Sequence, residues 1–491
     1  MEDIKAAEPH IQGEPFYSED GKSNALISEN EGTTADKHDM LRMGKRQETH
    51  RNFRHITILG FCMVILSTWE AILSTAVFAL GNGGTAGLIW GYLIVMIGFG
   101  FVVASLAEMA SMAPTSGGQY HWVSEFAPPS CQRFLSYLVG WLGVLGWQTA
   151  AATVLYLAGK QIQALIVLHN LSYTPKAWQG TLLIWSVLLI CLAFNTFFSN
   201  KLPLVEGVII ILYLVGFFAV IIPLWVIGDR MGLTRAASCF VGIKAGAYIA
   251  KEVRNAAYIP RAIMWTWLGN GLLRWIMAIT FCFCVGDTMS ILMTPLGSPH
   301  IQVFVNTTGS IAGATALTVL MLVIAIFACV AVMATNSRQL FAFARDNGVS
   351  PTLGVPLNSV YITIVFVLLL SLINLGSEVA FMQVVSLGVA AMVTSYLISI
   401  CCVALKRIRG EPLLASQFNL GRWGLPINII AIVFLLFIWL FCFFPSASHP
   451  TVADMNWASL GYGIVIIFAV VYFVFRGRHV YVGPVEYTRR G

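Results

Sequence analysis

Charge is what this sequence has least of. Asp, Glu, Lys and Arg together supply 11% of its 491 residues, about half the share of a soluble globular domain. That scarcity leaves no room for a large soluble domain. It also removes any reason to read the formal net charge of +6 as a nucleic-acid footprint. Metal-ligating patterns are equally thin. The ten cysteines are scattered, with no CxxC pair, and Cys282, Cys284, Cys401 and Cys402 lie inside apolar stretches; histidines nowhere cluster. The cysteines read as small apolar fillers rather than disulfide partners or metal ligands. No nucleophile or acid–base cluster converges in any loop, so neither a membrane enzyme nor a cofactor is expected.

What fills the chain is apolar: hydrophobic residues make up 57% and mean hydropathy is +0.77. A membrane-crossing helix needs about 20 apolar residues. Windows of that kind fall at 56–80, 86–112, 134–158, 178–198, 203–228, 262–286, 310–334, 356–376, 379–404, 425–445 and 456–475, with a shorter one at 236–250. Loops between them are mostly short, which makes neighbouring helices antiparallel. The expected fold is an all-α, polytopic bundle of about twelve helices in a lipid bilayer, bracketed by tails at 1–55 and 476–491.

The first tail carries no cleavable signal peptide, so the first span is expected to act as the insertion signal. It is acidic to about Asp36 and then basic, with Lys37, Arg42, Lys45, Arg46, Arg51 and Arg54. A basic juxtamembrane cluster suits a cytoplasmic face. With this end inside, outer loops hold only Lys160, Lys176, Arg230 and Arg235, and those around Ser298, Ser377 and Pro450 hold no basic residue. That distribution obeys the positive-inside rule and puts both termini in the cytoplasm.

Glu70 breaks the apolar pattern of the first span. An ionisable group at that depth costs about 2.5–3.5 kcal/mol on insertion scales. At 100° per residue, Ser67, Glu70, Ala71, Ser74 and Thr75 share one face, with Thr68 at its edge. Such a face belongs against protein or a wet cavity. A carboxylate there either glues helices together or lines a solute path. Gln148 lies mid-span beside Trp147, and Glu108 sits near the inner end of the second span. Gly87, Gly91, Gly140, Gly143 and Gly146 offer small-residue surfaces for close packing.

The segment Glu108–Trp122, EMASMAPTSGGQYHW, makes the chain recognisable. With TWEA at Thr68–Ala71, GWLGVLGWQ at Gly140–Gln148, FNT at Phe194–Thr196, IPRA at Ile259–Ala262 and SRQLFAFARD at Ser337–Asp346, it resembles the amino acid–polyamine–organocation superfamily. ITFCFC at Ile279–Cys284, GRWGLPIN at Gly421–Asn428 and RGRHVYVGPVEY at Arg476–Tyr487 extend the likeness, which is strongest to the fungal amino acid/choline/GABA permease branch. The resemblance implies a leucine-transporter-like fold: two inverted five-helix repeats plus two helices, with the first and sixth helices broken at the substrate site. Carried onto this chain, the first break falls around Thr68–Ala71 and the second at Phe240-Val-Gly242, with Glu252 downstream. Substrate-binding residues are then expected among Thr68, Trp69, Glu70, Ala71, Trp147, Gln148, Phe240 and Gly242, and coupling or gating at Glu70, Glu108 and Glu252. Trp69 and Trp147 offer cation–π contacts to an amine or a quaternary ammonium.

The chain also departs from its relatives. Only Asp229–Ala237 precedes the Phe-x-Gly, Ile243 and Lys244 follow it, Arg274 falls mid-span in the seventh helix, and the loop from Asp346 to Val355 is short. A 15-residue sixth span covers about 22 Å as a helix, less than a bilayer core. This reads either as a divergent or degenerate paralogue or as coding sequence lost at exon borders. The expected function is proton-coupled import of amino acids, GABA, choline or a related amine, at the plasma membrane or an internal membrane such as the vacuole. A permease-derived sensor is the alternative, although the second tail is short for one. The major facilitator fold also has twelve spans, but its long basic central loop is missing.

Overall fold

The computed structural model describes residues 60–484 except 61, 66–67, 116, 171, 199–201, 229–258, 350–355, 415, 417, 446–449, 452–454 and 482. The expected sixth span, with Phe240, Gly242 and Glu252, therefore lies outside the described residues, as do 1–59. Sixteen elements matter below. They are α1 (Thr68–Ala86), a π-helical turn (Gly87–Gly91), α2 (Tyr92–Met112), α3 (Gln119–Phe126), α4 (Gln132–His169), α5 (Ala177–Phe197) and α6 (Leu202–Val226). After the gap come α7 (Ile259–Cys284), α8 (Thr288–Leu292), α9 (Pro299–Thr308), α10 (Ile311–Arg345), α11 (Pro356–Gly376), α12 (Glu378–Ile408), α13 (Gly424–Phe441), α14 (Ala458–Tyr472) and α15 (Arg478–Val480).

Ten helical stretches among the described residues are long and apolar enough to cross a membrane, and no strand is found among them. The chain is an all-α, multi-pass membrane protein. Each of the ten coincides with an expected span. The first span corresponds to α1 and the helical residues 60 and 62–65 before it.

Two boundaries differ from expectation. The helix expected to stop at 158 runs on to His169, and the one expected to stop at 334 runs on to Arg345. Helix persists past the apolar window because Lys, Gln, Arg and Ala are all good helix formers. Hydropathy locates the lipid-embedded part of a helix; the helix itself ends where its backbone partners run out. The glycine pair expected as a packing surface, Gly87 and Gly91, brackets the π-helical turn, with Gly87 buried.

Side-chain contacts fix the direction of every neighbour. Along α4, Tyr137 meets Phe343 and Gln148 meets Asn336, so α10 runs antiparallel. Gly146 against Met392 and Tyr156 stacked on Phe381 at 4.4 Å make α12 antiparallel as well. Glycine is required along this helix: a Cβ at Gly140 would sit 2.1 Å from the Phe343 ring, and one at Gly146 2.4 Å from Met392 Cγ. On α6, Ile209, Tyr213, Phe217, Val220 and Leu224 form the buried stripe, while Leu204, Val208, Ile211, Val215, Phe218 and Ile222 are exposed. Both stripes are apolar, as expected of a helix with protein on one side and lipid on the other. Tyr213 is the polar exception in the buried stripe.

One end of the bundle gathers Arg133, Arg261, Arg338, Arg345, Lys406, Arg407, Arg409, Arg422, Arg476 and Arg478. Toward the other end, the described basic residues are Lys160 and Lys176. The basic end is tied together by Tyr120, whose hydroxyl donates to Asp346 Oδ2 at 2.9 Å, and by Tyr481, whose hydroxyl lies 2.7 Å from Ser136 Oγ.

Candidate functional site

Glu70 lies in the first turn of α1 and is 2% exposed. Neither carboxylate oxygen has a hydrogen-bond partner among the described residues. Ser74, one turn along the same face, is half-buried and accepts a 2.7 Å hydrogen bond from Gln161 Nε2 of α4. Gln161 is itself buried, and its Oε1 has no partner among the described residues. Ser74 of the expected polar face therefore meets α4, and the two Glu70 oxygens and Gln161 Oε1 are buried acceptors without partners among the described residues. Thr75, further round, satisfies its hydroxyl on the Ala71 carbonyl at 2.7 Å.

The Thr68 edge of that face is bonded to α6 and α7. Thr68 Oγ1 sits 3.0 Å from the Tyr213 hydroxyl of α6 and donates to the Asn270 carbonyl of α7 at 3.2 Å. Tyr213 donates its proton to Asn270 Oδ1 at 2.9 Å, and Asn270 Nδ2 donates to the Met63 carbonyl at 3.1 Å. The single phenolic proton is thus spent on Asn270 and leaves nothing for Glu70. Such bonds in membrane bundles contribute about 0.6 kcal/mol each. The network fixes α1 against α6 and α7 but is too weak to offset a buried carboxylate. The expected break at Thr68–Ala71 is not seen there: these residues form a regular first helical turn. Leu66 and Ser67, just before, lie outside the described residues.

Trp69 is fully buried against Tyr213 and Phe217, with ring centroids 6.0 Å away in both cases. Gly216 opens the space: a Cβ there would stand 2.9 Å from Ile324 and 3.5 Å from the indole. Trp147 and Gln148 pack elsewhere, in the core cluster centred on α4, α10 and α12, while Trp69 belongs to the cluster of α1, α6 and α7. Gln148 donates to Thr363 Oγ1 at 3.3 Å and accepts from Asn336 Nδ2 at 3.2 Å, so it joins α4, α10 and α11. The structure brings Thr68, Trp69 and Glu70 together with Tyr213, Asn270 and Gln161. It does not bring the two tryptophans into one aromatic cage.

Glu108 holds a different position. Near the basic end it receives Arg407 Nη2 at 2.6 and 2.7 Å and the Leu420 amide at 2.9 Å. Arg407 Nη1 also donates to Asn428, whose Nδ2 donates to Ser105 at 2.9 Å. This clamp joins α2, the end of α12, the following loop and the start of α13. Gly424 has to be glycine here, because a Cβ would fall 2.3 Å from the guanidinium. Arg274, the mid-span cation of α7, is buried with its guanidinium 5.1 Å from the Tyr92 ring centroid.

Sequence reasoning missed Tyr213, Asn270, Gln161 and Arg407. The first two are isolated polar residues inside apolar windows, a signal of the same kind as Glu70. Gln161 fell past the expected end of its span.

A sequence profile described as amino acid permease matches residues 53–470. The chain is 30% identical over 439 residues to a Macrophomina phaseolina protein named as an amino acid/polyamine transporter, covering 82% of this chain and 97% of that one. It is 24% identical to the choline transporter of Saccharomyces cerevisiae over 87% of this chain and 82% of that one. Amino-acid permease 2 of Neurospora crassa is 25% identical over 99% and 95%.

Proposed function

This chain belongs to the amino acid permease family, and from that premise we propose that it is a secondary transporter with Glu70 as its amine-binding group. Family membership makes it a transporter of amino acids or related organocations rather than an enzyme. Our reading narrows the cargo to small amine-bearing solutes, with protons as the coupling ion. The observation that carries it is the Glu70 carboxylate, buried in the first crossing helix with both oxygens unpartnered among the described residues. Leaving one partner of a buried ion pair without the other costs about 3–5 kcal/mol. A cationic solute that arrives, pairs and leaves turns that cost into a driving force for binding. A sugar has no charge to offer and would not.

The basic end of the bundle is the cytoplasmic one on this reading, because Lys and Arg accumulate on that side. Glu108, clamped to Arg407 there, holds that end of the path shut until α2 and α12 part. Both tails are then cytoplasmic, and the membrane we assign is the plasma membrane. Uptake of labelled amines and amino acids by cells expressing this chain tests the proposal. Glu70→Gln is expected to abolish uptake with surface expression intact. Unchanged uptake with unchanged pH dependence, or saturable hexose uptake that amines do not compete, would refute it.

A further inference from the structure

The sequence holds two Asn-x-Ser/Thr triplets, Asn170-Leu171-Ser172 and Asn306-Thr307-Thr308. Such a triplet is an acceptor for an N-linked glycan where it is exposed on the outer side of a membrane. We infer that Asn170 carries a glycan of this kind and that Asn306 does not. The inference rests on the orientation proposed above, which puts the C-terminal end of α4, and α9, on the outer side. Height above the bilayer decides whether Asn170 can be reached. The apolar window of α4 ends at 158, but the helix runs on to His169, which carries Asn170 about 18 Å past the window at 1.5 Å per residue. The headgroup layer takes up about 5–8 Å of that distance. A second marker agrees. Gln163 Nε2 donates to the Lys176 carbonyl at 3.3 Å, so the start of α5 is level with Gln163. Trp178, exposed in the first turn of α5, is the kind of aromatic that sits among headgroups. Asn170 then stands about 10 Å beyond that level.

Local geometry separates the two triplets. Asn170 follows the last turn of α4 with extended backbone, φ −139° and ψ 91°, and is exposed. Its Oδ1 accepts from the Ser172 hydroxyl at 2.6 Å and from the Ser172 amide at 3.2 Å. Nδ2, the atom to be modified, is left without a partner among the described residues. These contacts span two residues and need no other part of the fold, so the emerging chain can already adopt them. Ser172, Thr174, Pro175 and Lys176 are exposed too, which gives a bulky polar chain solvent to occupy. Asn306 lies instead within α9, where Thr307 is buried and the Thr308 hydroxyl donates to the Phe304 and Ser310 carbonyls at 2.8 and 3.0 Å. That hydroxyl has one proton and nothing left for Asn306, whose Oδ1 accepts from Gln302 Nε2 at 2.9 Å. The transfer itself is a substitution at carbon. Asn170 Nδ2 bonds to C1 of an oligosaccharide carried on a lipid pyrophosphate. The bond from C1 to the phosphate oxygen breaks, its electron pair leaves with the pyrophosphate, and Nδ2 gives one proton to a base of the transferase.

The test expresses the full chain in yeast cells and treats its membranes with peptide N-glycosidase. Wild type is expected to lose one discrete step of apparent mass on a gel. Asn170→Gln and Ser172→Ala should already run at the lower position. Ser172→Thr, which keeps the hydroxyl, should keep the step, and Asn306→Gln should behave as wild type. Enzymatic release turns a modified asparagine into aspartate, so peptide mass spectrometry of the wild-type chain locates the site even if a variant fails to fold. Absence of the step, or conversion at Asn306 rather than Asn170, would overturn the inference. Labelling with an impermeant maleimide tells the causes of a missing step apart. If Met293→Cys reacts in intact cells, the orientation stands and the glycan alone is refuted. If Gly410→Cys reacts instead, the orientation is refuted with it.

Discussion

Glu108→Gln should destabilise the folded chain by about 3–5 kcal/mol, the usual cost of removing one partner from a buried ion pair. The side chains of Glu108 and Arg407 are only 2% and 10% exposed, so solvent screening does little to reduce that figure. Glutamine keeps the size of the residue and an acceptor for the Leu420 amide, which the glutamate receives at 2.9 Å. The charge is lost, and one of the two oxygens that accept from Arg407 Nη2 becomes an NH2 donor. Arg407 is left with neutral acceptors, Asn428 and the remaining amide oxygen at position 108, and its guanidinium stays buried. Arg407→Gln should cost a similar amount by stranding the carboxylate. The double variant should be more stable than either single one, because two neutral amides can bond each other.

Thermal unfolding in detergent, followed by size-exclusion retention, gives the stability cycle. Uptake by the same four chains separates a clamp from a coupling group. If Glu108 only holds α2 to α12, the double variant regains uptake with its stability. If Glu108 takes part in coupling, the double variant is stable and inactive. Single variants within about 1 kcal/mol of wild type would mean that the pair behaves as a surface ion pair, and the burial argument would be wrong.

Two further outcomes are expected. His300 of α9, between the crossing helices α7 and α10, is buried with neither ring nitrogen bonded among the described residues, and burial holds its pKa down to about 4. Its folded value lies below the ordinary value near 6.5, so the neutral ring's contribution is complete above about pH 6.5 and is lost as pH falls toward 4, at most about 3 kcal/mol; His300→Phe should flatten a thermal stability profile over that window. Tyr481 is fully buried against Tyr137 at 5.2 Å, so Tyr481→Ala should cost about 3–5 kcal/mol and Tyr481→Phe about 1 kcal/mol, measured by the same melts.

Much of this arrangement can be read from composition alone, because a bilayer imposes a length and a polarity on every crossing helix. Glu70 stands out for that reason: a single charge in a run of 25 residues has few explanations. Contacts between helices are another matter. Tyr213 and Asn270 reach Thr68 from 145 and 202 positions away, and Arg407 reaches Glu108 from 299. Nothing local in the chain encodes those pairings; they follow from which faces the bundle presses together. Gln161 was hidden for a different reason. Hydropathy falls at Lys160, so the apolar window ends at 158, yet the helix continues for eleven more residues and Gln161 lies on its first polar turn. Trp147 packs in the core cluster of α4, α10 and α12, apart from Trp69 in the cluster of α1, α6 and α7.

The relative direction of α6 and α7 follows from the contacts between them. Tyr213 meets Asn270, Trp225 donates to Thr280 at 2.8 Å, and Cys284 lies 3.2 Å from the Leu224 carbonyl. Rising numbers pair with rising numbers, so α6 and α7 run in the same direction. Val226 and Ile259 therefore lie at opposite ends of the bundle. The 26 residues of α7 span about 39 Å. That direction agrees with the gathering of Arg and Lys at one end of the later helices. Cysteine placed at the exposed Met293 should react with an impermeant maleimide in intact cells, and cysteine at Gly410, past the end of α12, should not. Reaction at Gly410 with protection at Met293 would mean that the later helices are inverted in the membrane, and the cytoplasmic placement of the basic end would be wrong.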